Sequence, residues 1–137
     1  MNKLPHTDPI LFVTTHNIIS DKEISAEYTV PADHPVLKGH FPHISIWPGI
    51  HLIEGMNQTA GLHALYLAST ADKDLQSNVT FVTSIDSAKF RSPVFPGAKL
   101  QYHATLVKRK RNHVFYQCEV YSNTVKCAEA VVGLTAR

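Results

Sequence analysis

The segment from Ile50 to Ser69 constrains the fold most, because its apolar residues recur at helical spacing without an intervening proline. These positions, three or four residues apart, are Ile50, Ile53, Met56, Ala60, Ala64 and Leu67. Such a stripe occupies one face of an α-helix of about 20 residues. Gly55 and Gly61 lie inside this segment, and each costs about 1 kcal/mol relative to alanine. Close packing of another backbone would compensate, so we predict a long and buried helix.

Strand patterns surround the helix. Before it, we predict strands at Ile10–Val13 and Ile24–Val30, which flank a turn at Ser20-Asp21. After it, we predict four more strands, Val79–Ser87, Leu100–Lys110, Val114–Tyr121 and Val125–Leu134. Two strands, one helix and four consecutive strands do not fit repeated parallel crossovers. The pattern predicts an α+β fold, an antiparallel sheet wrapped around one long central helix, in a single domain covering residues 1–137.

Composition excludes several classes of protein. The 137 residues carry a net charge of +2, and nine histidines make that value sensitive to mild acid. No apolar run approaches the roughly 20 residues that cross a bilayer, and no apolar leader follows Met1. We therefore expect a soluble, cytoplasmic protein without a membrane partner.

The two cysteines, Cys118 and Cys127, are too few for a disulfide scaffold or a zinc ribbon. A two-residue turn at Ser122-Asn123 would place them opposite each other on the last hairpin. We expect both to stay reduced.

The best candidates for chemistry are His40 and Glu54. His40 lies in Pro31–Pro48, a segment with four prolines that predicts a stiff loop. Glu54 lies about one turn into the helix, where Gln58 can fix its rotamer. An imidazole and a carboxyl group can act as base and acid in an elimination, and the N–H groups of Gly49 and Ile50 can polarise a carbonyl.

Each candidate also has an ordinary interpretation. A loop histidine often stabilises a turn, and a helix glutamate is usually solvated. A metal site at His40, His43, His51 and Glu54 is disfavoured because no ligand spacing such as H-E-x-x-H occurs. His51 and His63 are interpreted as helix positions near an interface or the surface.

Several motifs, taken together, resemble the 3-hydroxyacyl-[acyl carrier protein] dehydratases of type II fatty acid synthesis. They are Leu4-Pro5-His6, Gly39-His40-Phe41-Pro42, Pro48-Gly49 with Glu54 and Gln58, Ile85-Asp86 with Phe90-Arg91, and Pro93-Val94 with Pro96-Gly97. The resemblance implies a hot-dog fold and no cofactor. It also implies that His40 is the base, Glu54 of the other subunit the acid, and Gly49 the carbonyl-binding amide.

The resemblance further implies a substrate and an assembly. The substrate is a 3-hydroxyacyl chain held as a phosphopantetheine thioester on acyl carrier protein. The assembly is a homodimer or a trimer of dimers, or a heterodimer with a related subunit. A site shared between subunits suits so short a chain.

The chain departs from the family pattern near the predicted site. The family usually has proline at Ser45, methionine or leucine at Trp47, and alanine at Gly55 and Asn57. Trp47 can stack on a conjugated acyl chain, which favours a polyene or polyketide pathway, or it can belong to the core. Our predicted substrate-binding residues are Gly49, Ile50, Gln58, Trp47 and Phe81.

Positive charge predicts how the carrier docks. The run Lys108, Arg109, Lys110 and Arg111, together with Lys89 and Arg91, is predicted to bind acidic acyl carrier protein. Nucleic acid is disfavoured, because no aromatic platform or recognition helix accompanies the run.

Four alternative functions remain open. Hot-dog thioesterases lack the Gly-His-Phe-Pro loop, and enoyl-CoA hydratases of this fold place the acid before the histidine. Dehydratase-isomerases usually carry aspartate at Glu54. A non-catalytic partner subunit would not need to retain both His40 and Glu54.

Overall fold

The structure is a computed structural model that describes Leu4 and residues 10–38, 46–71, 80–111 and 113–136, apart from the side chains at 38, 71 and 136. Its elements in chain order are β1 (Thr15–Ile18), β2 (Glu23–Thr29), a short 3-10 helix (Pro35–Lys38), α1 (Gly49–Ala71), β3 (Thr80–Phe90), β4 (Lys99–Lys110), β5 (His113–Ser122) and β6 (Val125–Ala136).

The six strands form one antiparallel sheet in the order β1-β2-β4-β5-β6-β3. Helix α1 packs against five of them, β2 to β6. Apolar side chains alternate along β4 and β5 and meet the helix in one core. This arrangement confirms the predicted hot-dog fold. No helix in the described part of the chain is long and apolar enough to cross a membrane.

Strand β3 forms one edge of the sheet, and among the described strands only β6 pairs with it. Its four large apolar side chains remain exposed: Phe81 by 51%, Val82 by 40%, Ile85 by 42% and Phe90 by 53%. An apolar, unpaired edge of 11 residues is a surface that natural proteins normally cover.

The first predicted strand was wrong. Residues 10–13 are not a strand, and β1 begins at Thr15 instead. Phe12 and Val13 are buried, so their apolar character reflects the core. The N–H of Phe12 bonds to a helix side chain, Gln58, rather than to a neighbouring strand.

The last hairpin is shifted from the predicted register. Its turn lies at Asn123-Thr124, both with positive φ, and Ser122 pairs with Val125. A register shift follows Val120, so Cys118 lies opposite Ala130 rather than opposite Cys127. The predicted cysteine pairing was therefore wrong. Both thiols are free and buried, and burial raises the pKa of each.

The helical glycines fit against side chains rather than against another backbone. A Cβ on Gly55 would clash with the hydroxyl oxygen and the ring of Tyr102. A Cβ on Gly61 would meet only Thr80 Oγ1 inside 3 Å, at 2.8 Å. Gly55, the residue after Glu54, therefore makes room for the buried ring of Tyr102.

His63 lies in the core, so its predicted place near a surface was wrong. Its side chain is fully buried. Nδ1 lies 2.7 Å from the Tyr116 hydroxyl and Nε2 2.9 Å from the carbonyl of Ser20. Because a carbonyl only accepts, Nε2 carries the proton and Nδ1 accepts from Tyr116. This neutral ring joins α1 to β5 and to the β1–β2 turn.

Candidate active site

The first half of α1 and the residues leading into it hold most of the predicted site. The N–H of Trp47 donates to the carbonyl of Val94 at 2.7 Å, which fixes the approach to the helix. Pro48 then precedes Gly49, the first helical residue. A first-turn N–H has no intrahelical acceptor, so the Gly49 amide is suited to a carbonyl oxygen.

Glu54 is partly buried, and two neighbouring amides contact its two oxygens separately. Gln58 Nε2 donates to Oε1 at 3.1 Å, and Asn57 Nδ2 lies 3.4 Å from Oε2. Residues three and four positions apart share one helix face, so the sequence spacing alone brings these groups together. The carboxyl group is held in one rotamer, as the spacing of Gln58 predicts.

Gln58 also connects the segment before β1 to the helix. Its Oε1 accepts the Phe12 N–H at 2.8 Å, and its Nε2 donates to the Ile10 carbonyl at 2.7 Å. With Glu54, these contacts use both N–H groups of the amide. Gln58 is only 1% exposed. Its geometry thus supports positioning of Glu54 rather than direct contact with a ligand.

Trp47 is 1% exposed and lies in an aromatic cluster. Its ring centroid is 4.8 Å from His51, 4.9 Å from His34 and 5.4 Å from Phe12, each in an edge-to-face arrangement. Phe12 in turn stacks on His51 at 4.8 Å. These contacts favour the core interpretation of Trp47 over a surface that stacks on an acyl chain.

Phe90 was not predicted to belong to the site, yet its ring packs on the start of the helix. A Cβ on Gly49 would lie 2.8 Å from Phe90 Cε1. Phe90 and Gly49 line a surface groove of about 400 Å³, together with Ile46, Trp47, Leu52, Arg91, Ser92, Pro93 and Val94. The Phe90-Arg91 motif was noted only as part of a resemblance, and its position beside Gly49 required the fold.

Two other predicted substrate-binding residues lie on the surface. Ile50 is 66% exposed beside Gly49. Phe81 belongs to the opposite end of β3 from Phe90, next to Thr80, which packs at Gly61. Gly61 is 12 residues beyond Gly49, or about 18 Å along the helix. Within one chain, Phe81 is therefore not brought to the Gly49 amide.

The predicted basic surface is divided within one chain. Lys108 to Arg111 occupy the tip between β4 and β5, where His113 pairs with Thr135. Lys89 lies opposite Glu129 of β6. Glu129 and Thr135 are six residues apart on β6, so the two groups of basic residues are separated by about 20 Å along the strand. Arg91 is engaged with Glu129 at 2.6 Å. Arg91 and then Lys126 lower the pKa of Glu129 to about 2.

His40, the predicted base, lies outside the described residues. His43 and Ser45 lie outside them as well. In the described part of the chain, no group of three or more His, Cys, Asp or Glu side chains is arranged to hold a metal ion.

Comparison with known proteins places these features in a family. Residues 4–131 match the FabA-like domain. The chain is 36% identical over 131 residues to the 3-hydroxyacyl-[acyl-carrier-protein] dehydratase FabZ of Aliarcobacter butzleri, covering 93% of this chain and 87% of that protein. It is 37% identical over 134 residues to FabZ of Allorhizobium ampelinum, covering 97% and 84%.

Solved structures agree on the fold. The dehydratase heterocomplex ApeI:P from Xenorhabdus doucetiae contains a chain that superposes with a TM-score of 0.80 at 18% identity, covering 98% of this chain and 88% of that one. A hypothetical thioesterase with coenzyme A from Streptococcus pneumoniae superposes with a TM-score of 0.66 at 11% identity, covering 90% and 86%. Since the family match spans nearly the whole chain, this protein belongs to the FabA-like family.

Proposed function

We propose that this protein is a hydro-lyase that dehydrates a 3-hydroxyacyl thioester on acyl carrier protein to the trans-2-enoyl thioester. The observation that carries the proposal is Glu54, held by two amides on the helix that begins at Gly49. FabZ proteins that share over a third of its residues across nine-tenths of the chain are named for this activity.

The chemistry assigns one task to each group. His40 removes a proton from C2, and the electrons of that C–H bond form the C2=C3 double bond. Glu54 gives a proton to the C3 hydroxyl, so the C3–O bond breaks and water leaves. The Gly49 amide stabilises the negative charge that develops on the thioester oxygen.

The exposed edge strand supports a homodimer. A two-fold axis can join two copies of β3 into one continuous sheet. The two strands are then antiparallel. If the pairing is centred near Ile85, Phe81 of the partner subunit lies beside Phe90. The β4–β5 tip of the partner then lies at the same end of the molecule as the Gly49 groove. In this dimer, Phe81 and the basic β4–β5 tip of one subunit both lie near the Gly49 groove of the other.

Inactivating substitutions test the catalytic pair. His40→Ala and Glu54→Gln each abolish water loss, measured by intact mass on a panel of 3-hydroxyacyl carrier proteins. His16→Ala and Glu27→Gln are matched controls, because both residues are exposed on the β1–β2 hairpin, and they retain normal turnover. Near-normal turnover in either site variant contradicts the assigned roles.

Mixing the two inactive variants tests the shared site. Subunit exchange creates a dimer in which one of the two sites has both His40 and Glu54, so part of the activity returns. Subunit exchange is verified by mass. If no activity returns once exchange is complete, the site is not shared between subunits. Release of free carrier thiol instead of water identifies a thioesterase.

A further inference from the structure

Of the two side-chain amides that contact Glu54, that of Asn57 has a hydrogen-bond contact only at its nitrogen. Its side chain is 9% exposed, and Oδ1 is buried without a hydrogen-bond partner in the described part of the structure. Leaving a buried carbonyl oxygen unpaired costs free energy. An apolar side chain at this position would avoid that cost. Packing alone therefore does not explain the asparagine.

The two amides beside Glu54 hold its two carboxyl oxygens unequally. Gln58 Nε2 is fixed by Ile10 and donates to Oε1, so Oε1 is an acceptor. The Asn57 contact to Oε2 is longer than the Gln58 contact to Oε1, so we assign the donated proton to Oε2. This is the oxygen beside Asn57 Nδ2, at 3.4 Å.

We propose that Asn57 is a positioning residue that acts through Glu54, stabilising the carboxylate that forms when Oε2 gives up its proton. This inference rests on the proposed dehydratase function. As the proton moves from Oε2 to the departing C3 hydroxyl, negative charge develops on Oε2. A hydrogen bond to a charged oxygen is stronger than one to a neutral oxygen. The Nδ2–H contact therefore strengthens toward the transition state, and such an interaction raises kcat rather than lowering KM.

Asn57→Leu tests this role, because leucine has a similar size but no donor. We expect kcat to fall about tenfold with KM within about twofold, since one charge-assisted hydrogen bond is lost. Asn57→Ala should behave likewise. The melting temperature should stay equal or rise in Asn57→Leu, because the unpaired Oδ1 is removed. A residue that served only the fold would show the reverse, a lower melting temperature with unchanged kcat.

Thr59→Val is the matched control on the same helix. Thr59 is fully buried and donates to the Gly55 carbonyl at 2.8 Å, without a contact to Glu54. It should keep normal kcat. An unchanged kcat in Asn57→Leu, with active wild-type enzyme, overturns the role of Asn57 and leaves the dehydratase function standing. Wild-type protein that dehydrates no carrier-linked substrate overturns both.

Discussion

At the scale of single residues, the neutral ring of His63 is the clearest case of a group whose role depends on distant partners. Tyr116 lies 53 positions away in the sequence and Ser20 lies 43. A helical pattern places His63 on the helix but does not show what faces it. Glu54 and Gln58 are different, because they are four residues apart on one helix and their contact follows from local geometry.

The buried ring makes stability depend on pH. Burial lowers the pKa of His63 below its usual 6.5, against smaller opposing effects of the Ser20 carbonyl and Asp21. The unfolded chain therefore binds a proton that the folded chain resists. The contribution of His63 is fully present above about pH 6.5 and is lost as the pH falls below that value, by up to about 1.4 kcal/mol per pH unit.

His63→Gln provides the comparison, because its amide can donate to Ser20 and accept from Tyr116 without titrating. We expect urea unfolding at about pH 7.5 and about pH 5.5 to show a smaller difference in unfolding free energy for His63→Gln than for the wild type. Equal differences would mean that other groups cause the acid sensitivity.

At the scale of elements, periodicity predicted the helix and the four later strands to within a few residues. It misplaced β1, because the apolar run at 10–13 serves the core while its backbone bonds to Gln58. It also shifted the last hairpin by one residue. A bulge after Val120 changes which residues face each other, and the sequence contains no direct signal for it.

Strand β3 offers a prediction at this scale. Ile85→Lys should dissociate the proposed dimer, because the charged side chain enters an apolar strand pairing. Sedimentation should show monomers, and activity should fall because the proposed site takes His40 and Glu54 from different subunits. Ile19→Lys is the control, since Ile19 is 50% exposed and lies outside β3, while Ile85 is 42% exposed. A dimer that survives Ile85→Lys argues against pairing through this edge.

At the scale of the whole molecule, the proposed site draws on residues that one chain does not bring together. The motifs around Glu54 predicted the part of the site that lies on helix α1. They did not show that Phe81 and Phe90 occupy opposite ends of β3 or that the basic residues divide into two groups. Those relations depend on strand order and on the proposed two-fold axis, which a linear pattern does not encode.

Carrier docking can be tested at the β4–β5 tip. Arg109→Glu with Lys110→Glu should raise KM for a carrier-linked substrate several-fold and leave a small pantetheine thioester unaffected, because these side chains are proposed to contact the carrier protein and not the thioester. The effect should shrink as salt increases. Lys99→Glu, at the other end of β4, is the control. Equal losses on both substrates would place the tip residues in folding or in the active site.

The pairing of β3 with β6 has a consequence for synthesis of the chain. β3 ends at Phe90, but β6, the one described strand that pairs with it, begins at Val125. At about 5–20 residues per second, the ribosome needs a few seconds to make the residues between them. During that time, the most apolar exposed strand has neither β6 nor a second subunit. Newly made chains are therefore most prone to aggregation just before the last strand emerges, and conditions that slow elongation late in the message should lower the soluble yield.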